Sequence, residues 1–146
     1  MEKVDKLFAA MKAFIVHEGK VLLLRESVTY EDGTNLDKWI EPGGRVEPGE
    51  NFRDGLVREI KEETGLEVDV TSPFYVDEWR PKVRGEQWQI IGTFFVCRPH
   101  AIEVVLGNDH EEYRWVTPEE AATLPLAPET LKAFKALKEW LTRNAI

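Results

Sequence analysis

The chain has 146 residues, 42% of them hydrophobic and 32% charged, which fits one globular domain over residues 1–146 and excludes a disordered chain. No apolar run reaches the roughly 18–20 residues that cross a bilayer, and the opening MEKVDKLFAAMK lacks the apolar core and cleavage site of a signal peptide. The formal charge of −8 argues against a nucleic-acid or membrane face, but not against an anionic substrate approached through a metal ion.

In chain order, residues 9–16 and 20–25 are apolar stretches separated by His17-Glu18-Gly19, the pattern of a hairpin. Residues 27–37, with Gly33 and Asn35, read as a polar loop, and residues 38–41 as a short strand ahead of Pro42-Gly43-Gly44. Asn51 is a good N-cap, Asp54 stands three residues on, and Gly65 suits a C′ position, so a helix lies between them. Phe52, Leu56 and Ile60 recur at i, i+4, i+8 and mark its core-facing side. Residues 66–80 and 87–98 read as two long strands joined by a turn over residues 81–85 that carries Lys82 and Arg84. Cys97, in the second strand, is the single cysteine; it reads as buried packing, leaves no internal disulfide, and makes reducing, cytoplasmic surroundings the default. Residues 113–116 form a short strand and residues 118–122 start a small helix. Residues 128–143 are amphipathic, with Leu131, Phe134, Leu137 and Leu141 along one side. This order of elements predicts an α+β fold in which a mixed sheet is sandwiched between helices.

The chemistry concentrates in the first helix. Glu59 and Glu63 are four residues apart and Glu59 and Glu62 three apart, so the three carboxylates share roughly a 100° arc of one helix face. Like charges so placed repel unless something neutralises them, and an all-oxygen anionic cluster suits a hard cation, Mg²⁺ or Mn²⁺. The loop in front, with Gly43, Gly44 and Pro48-Gly49, lets main-chain groups approach an ion or phosphate closely. Arg58 is placed to pair with Glu62 or to reach back to Glu47 or Glu50, and Gly55, unfavourable inside a helix, lies on the side facing that loop.

Read as a pattern, Gly44, then Glu50, then Arg58-Glu59-Ile60-Lys61-Glu62-Glu63-Thr64-Gly65-Leu66 resembles, at every fixed position, the signature of the Nudix hydrolases. Trp39 before Pro42-Gly43-Gly44, and Glu112-Tyr113-Arg114-Trp115-Val116 followed by Thr117-Pro118-Glu119-Glu120, extend the resemblance over nearly the whole chain. It implies a Nudix fold and Mg²⁺-dependent water attack on a diphosphate linkage in a nucleoside diphosphate derivative. It further implies Glu59 and Glu63 as main metal ligands, Glu62 as a further ligand or the base, the Gly44 carbonyl as an inner ligand, and Arg58 with Glu50 as the tie between loop and helix. Some members place the base in the loop before the last strand, here Asp109, Glu111 and Glu112, of which Glu111 and Glu112 are favoured; His110 is a lesser candidate. Glu41 departs from the family, where the residue before Pro-Gly-Gly is usually apolar, and so bears on substrate choice or is a surface substitution.

For the substrate, Phe74, Tyr75, Trp79, Trp88 and Trp115 are candidate stacking residues, with core or interface packing as the alternative. Arg80, Lys82 and Arg84 are candidate phosphate or ribose contacts at a hairpin tip. Nucleoside triphosphates remain open as substrates, as do ADP-ribose and nucleotide sugars; Pro81 resembles a marker of ADP-ribose members. A non-catalytic nucleotide-binding or protein-interaction module is the alternative function. The aromatic hairpin between Phe74 and Trp88 predicts an apolar patch and hence a homodimer.

Overall fold

The protein is described from a computed structural model that covers residues 1–29 and 35–144. Part of the expected polar loop, Gly33 included, therefore lies outside the described residues. Strands β1 (Lys6–His17) and β2 (Lys20–Glu26) form the expected hairpin, with Glu18 and Gly19 both at positive φ in its turn. β2 continues to β3 (Trp39–Ile40) on one side and β8 (His110–Val116) on the other. β1 pairs in parallel with β7 (Glu86–Pro99), and β7 in turn pairs antiparallel with β5 (Val68–Trp79). On its other edge β1 takes up the short β4 (Gly43–Arg45), so β1 is the spine on which the mixed sheet is built. The turn expected over residues 81–85 is tighter than its sequence suggested, because β6 (Lys82–Val83) folds back on Gln87 and Glu86 and leaves Arg84-Gly85 to turn the chain.

Both sheet faces are covered, which is why β2 reads as an unbroken Val21-Leu22-Leu23-Leu24 run rather than an alternating one. Helix α1 (Phe52–Thr64) seals one face: Leu56 and Ile60 pack on Ala13, Ile15, Leu22, Leu24, Phe95 and Cys97. Asn51 caps it by accepting from the Arg53 and Asp54 N–H groups, and Gly65 ends it at φ 73°. Phe52 is the exception to the expected stripe. It is exposed and lies across the Phe95 ring, at the edge of the sheet rather than in its core. After the short α2 (Pro118–Ala121), α3 (Pro128–Arg143) seals the other face. There Ala133, Phe134 and Leu137 pack with Phe14, Val21, Leu23, Phe94 and Val96. The buried stripe of α3 is rotated from the sequence expectation. Thr130 and Ala133 face inward, while Leu131 and Leu141 are exposed, and the Thr130 hydroxyl donates to Glu41 in the segment between β3 and β4.

The aromatic hairpin is also turned inward. Phe74, Tyr75 and Trp79 pack against the α3-side core and Trp88 is buried, so they form no exposed patch. The apolar surface of this region is instead Leu7, Val76 and Ile91, on the stretch of sheet beyond the reach of α1.

Cutting the contact between α1 and the sheet should be costly. Ile60→Ala is expected to lower the free energy of unfolding by about 2–5 kcal/mol, measured by urea denaturation with an unchanged slope. A loss below about 1 kcal/mol would mean α1 does not hold this face.

Candidate active site

The glycine loop and the acidic helix meet face to face. Gly43 (φ 142°) and Gly44 lie in β4, paired with Lys12 and Met11, in a place that leaves no room for side chains. A Cβ on Gly44 would stand 2.8 Å from Cδ of Glu59, so the Glu59 carboxylate rests directly on the Gly44 backbone. One turn further, Glu63 Oε1 accepts the Gly43 N–H at 2.8 Å. Arg58 braces this arrangement. It grips Glu50 through two parallel bonds, Nε to Oε2 at 2.9 Å and Nη2 to Oε1 at 3.2 Å, and its Nη1 reaches Glu62 at 3.2 Å and Glu59 at 3.3 Å. Gly55 has its explanation here: Glu50 lies against it, and a Cβ would fall 2.7 Å from the carboxylate that Arg58 holds.

The two buried-side carboxylates are electrostatically uncomfortable. Burial pushes the Glu63 carboxyl up to about 8, with the Gly43 N–H and Lys12 pulling the other way and Glu59 and Asp109 adding to the rise. Burial also raises Glu59, against the opposing effect of Arg58. Both are carboxylates that a nearby cation would stabilise. Among the described residues no three His, Cys, Asp or Glu side chains already close around one point. The donor chemistry nevertheless fits a hard divalent ion: Glu59 and Glu63 offer oxygens from the helix, beside the main chain of Gly44. Glu62 is displaced from them toward solvent, 59% exposed and held by Arg58.

Behind this cluster lies a cavity of about 210 Å³. Glu59, Glu63 and Gly44 stand among its walls, as do Trp79 and Trp88. Arg45 stacks over Trp88 with its guanidinium 5.0 Å from the ring, and Trp79 lies against the bare Cα of Gly92. Glu41 is not a surface substitution. It is fully buried, 3.7 Å from Lys12 Nζ and hydrogen-bonded by Thr130 Oγ1 at 3.0 Å, and it lines the cavity. Burial first, and Glu129 next to it, push its carboxyl up to about 7, against the pull of Lys12. Burial disfavours the Lys12 ammonium too, but Glu41, Glu63, Glu129 and Glu26 together outweigh it and keep that lysine charged.

The loop before the last strand requires a correction. Glu111 and Glu112 do not line the cavity. Glu111 accepts from Ser27 Oγ and the Val28 N–H and pairs with Arg25 Nη1 at 3.1 Å, while Glu112 pairs with Arg25 Nε at 3.3 Å. Both are held by Arg25, outside the cavity wall. From this part of the chain Asp109 and His110 line the cavity, and together with Gly107 and Asn108 they line the acidic cleft next to it. Burial lowers His110 to about 4, so it is a neutral imidazole at ordinary pH. Arg80 is likewise turned away, paired with Glu78 at 2.8 Å and Glu2 at 3.8 Å. Cys97 is inert packing, its thiol pushed up to about 12 by burial. Lys12, Glu26, Asn35 and Glu129 line the cavity without having been singled out in sequence; only Lys12, a lone charge in the apolar run AAMKAFIV, carried a visible signal.

Comparison with known proteins agrees with this geometry. Residues 6–137 match the NUDIX domain. The CTP pyrophosphohydrolase of Escherichia coli (strain K12) is 35% identical over 136 residues, covering 91% of this chain and 95% of that protein. The nucleoside triphosphatase NudI of E. coli O1:K1 / APEC is 31% identical over 128 residues, 83% and 89% of the two chains. Among solved structures, the MutT protein of Methanosarcina mazei Go1 superposes with a TM-score of 0.78 at 30% identity, covering 95% of this chain and 97% of that one. A MutT Nudix hydrolase from Burkholderia pseudomallei gives 0.77 at 22% identity, covering 91% and 99%. The chain belongs to the Nudix hydrolase family, and its α+β architecture is the Nudix fold.

The raised carboxyls set a pH dependence. Below the ordinary value of 4.5 Glu63 is protonated in both folded and unfolded chains; between 4.5 and about 8 the unfolded chain releases a proton that the folded chain keeps. Stability without divalent metal therefore falls as pH rises through this window, and Glu41 adds a fall of the same sign; His110, lowered to about 4, opposes it only up to its ordinary value of 6.5, and the two carboxyls outweigh it. In EDTA the melting temperature is expected to drop from pH 5 to pH 8, and Glu63→Gln to flatten that drop. A melting temperature independent of pH would overturn the assignment.

Proposed function

We propose that this protein hydrolyses nucleoside triphosphates to the monophosphate and pyrophosphate, with Mg²⁺ or Mn²⁺ held by Glu59, Glu63 and the Gly44 carbonyl. The observation that carries this reading is the meeting of two carboxylates with a side-chain-free backbone at a cavity that also has indole walls. The 35%- and 31%-identical relatives, named for CTP and nucleoside triphosphate hydrolysis, support it. A divalent ion held there would supply charge screening for the diphosphate and Lewis-acid activation of water. The chain's own residues do the rest. Arg58 fixes Glu50, Glu59 and Glu62 relative to the loop, and the Gly43 N–H orients Glu63. Glu62 and Asp109 line the same cleft, and either carboxylate would be placed to accept the proton of an attacking water. ADP-ribose and nucleotide sugars have weaker support, since Pro81 has a structural role of its own: its carbonyl accepts the Trp88 N–H at 3.0 Å and closes the hairpin. A homodimer remains part of the proposal, now resting on the open sheet surface of Leu7, Val76 and Ile91; sedimentation as a monomer at micromolar concentration would end it.

With Mg²⁺ present, the expected products from a triphosphate are the monophosphate and pyrophosphate. Of Glu62→Gln and Asp109→Asn, the variant that removes the base is expected to lose about 10²–10⁴-fold in kcat. Orthophosphate as the product, or no turnover of any triphosphate, would contradict the reading.

A further inference from the structure

The inner part of the cavity is not needed by the chemistry at the glycine loop, and its lining is unusual. Lys12, Glu41 and Glu129 face it, with Glu26 and Asn35 beside them and the indoles of Trp79 and Trp88 in the same wall. Asn35 is already engaged: its Nδ2 donates to Glu129 Oε1 at 2.8 Å and its backbone N–H to Glu26 Oε1 at 3.0 Å. Glu41 is not fully engaged. One carboxylate oxygen takes the Thr130 hydroxyl at 3.0 Å. The other, Oε2, is buried, stands 3.7 Å from Lys12 Nζ, beyond hydrogen-bond distance, and has no hydrogen-bond partner among the described residues.

A purely structural ion pair does not account for this. A buried pair is worth keeping for stability only when its remaining lone pairs are satisfied, and an apolar side chain would otherwise fill the space at no penalty. This unpaired oxygen, on a buried side chain of the cavity wall, fits a ligand that brings an N–H to it. The charge of the lining says which end of a nucleotide that is. Glu26, Glu41 and Glu129 gather around the Lys12 ammonium at this end of the cavity, away from the carboxylates placed to hold a metal ion, so acceptors outnumber donors here and a phosphate with no metal ion to screen it is repelled. The phosphates belong at the Glu59–Glu63 end, and the base belongs against the indoles.

Resting on the reading that the substrate is a nucleotide, we propose that Glu41 is the specificity-determining residue of a nucleobase subsite, selecting bases with an exocyclic amino group over uracil and thymine. In cytosine and adenine an amino group stands next to a ring nitrogen, so one base edge donates to Glu41 and accepts from Lys12. Guanine brings its ring N–H and amino group to the carboxylate and its carbonyl to the lysine. Uracil and thymine offer a single ring N–H between two carbonyl oxygens, and one of those oxygens would lie against the carboxylate. A site built around a buried polar group rejects a ligand that leaves it unpaired far more strongly than it rejects a misfit of shape. Thr130 acts as a positioning residue, fixing the rotation of the Glu41 carboxylate.

The test compares kcat/KM for CTP and UTP with Mg²⁺, and separately the binding of CMP and UMP to the metal-free protein by isothermal titration. Wild type is expected to favour CTP by about tenfold or more, and to bind CMP more tightly than UMP. Glu41→Gln is expected to bring both ratios within about threefold of one, mostly through KM. Thr130→Val, which leaves Glu41 in place, is expected to give intermediate ratios and serves if the first variant fails to fold. Equal use of CTP and UTP by wild type, or an unchanged ratio in folded Glu41→Gln, would overturn the proposal. If neither triphosphate is hydrolysed but CMP outbinds UMP only when Glu41 is intact, the reaction falls and the subsite stands.

Discussion

Everything in this molecule is arranged around one contact, the seating of the Glu59 and Glu63 carboxylates on the backbone of Gly43 and Gly44. It favours two glycines in β4: a Cβ at Gly43 would strike the Met11 carbonyl at 2.3 Å, and one at Gly44, 2.8 Å from Glu59 Cδ, would push that carboxylate off the backbone. It forces α1 to begin immediately after the loop, capped by Asn51, so that its second and third turns lie over β4. It also calls for the Arg58–Glu50 clasp, since a loop this rich in glycine needs an external brace to stay in register with the helix.

The arrangement places stability and function in opposition. Two carboxylates held partly out of water, one pushed up to about 8, destabilise the metal-free fold at neutral pH. The same lack of solvation is what a cation beside them would relieve. The rest of the structure offsets the strain with ordinary packing: α1 and α3 each bury an aliphatic stripe, and β2 is covered on both sides. The second concentration of buried charge, Lys12 with Glu41 and Glu129, sits on the face sealed by α3. There the helix presents Thr130 rather than Leu131 to the sheet.

The sequence announced the first contact and was nearly silent on the second. Gly44, Glu50, Arg58, Glu59, Glu62 and Glu63 are legible because helix periodicity and glycine chemistry are local rules, and local spacing brings those groups together. The cavity wall is built from β1, the segment before β4, the loop before β8 and the start of α3, which only the fold makes neighbours. For that reason Glu129 carried no signal. Glu111 and Glu112 looked better than Asp109 for a similar reason: the ion pairs with Arg25 that turn them away join residues more than eighty positions apart. The burial of the aromatic hairpin was not legible because Trp88 packs with Phe8, Ala10, Val83 and Ile90, and Trp79 with the α3-side core, neighbours that the fold brings together from several strands.

The measurement that bears most directly on the central contact is titration of the metal-free protein with Mn²⁺, followed by the electron paramagnetic resonance signal of the free ion. Wild type is expected to bind the ion, with Glu59→Gln and Glu63→Gln each weakening it by about tenfold or more and Glu111→Gln leaving it unchanged. Binding that survives intact in Glu63→Gln, or that is lost in Glu111→Gln, would contradict this account of the site.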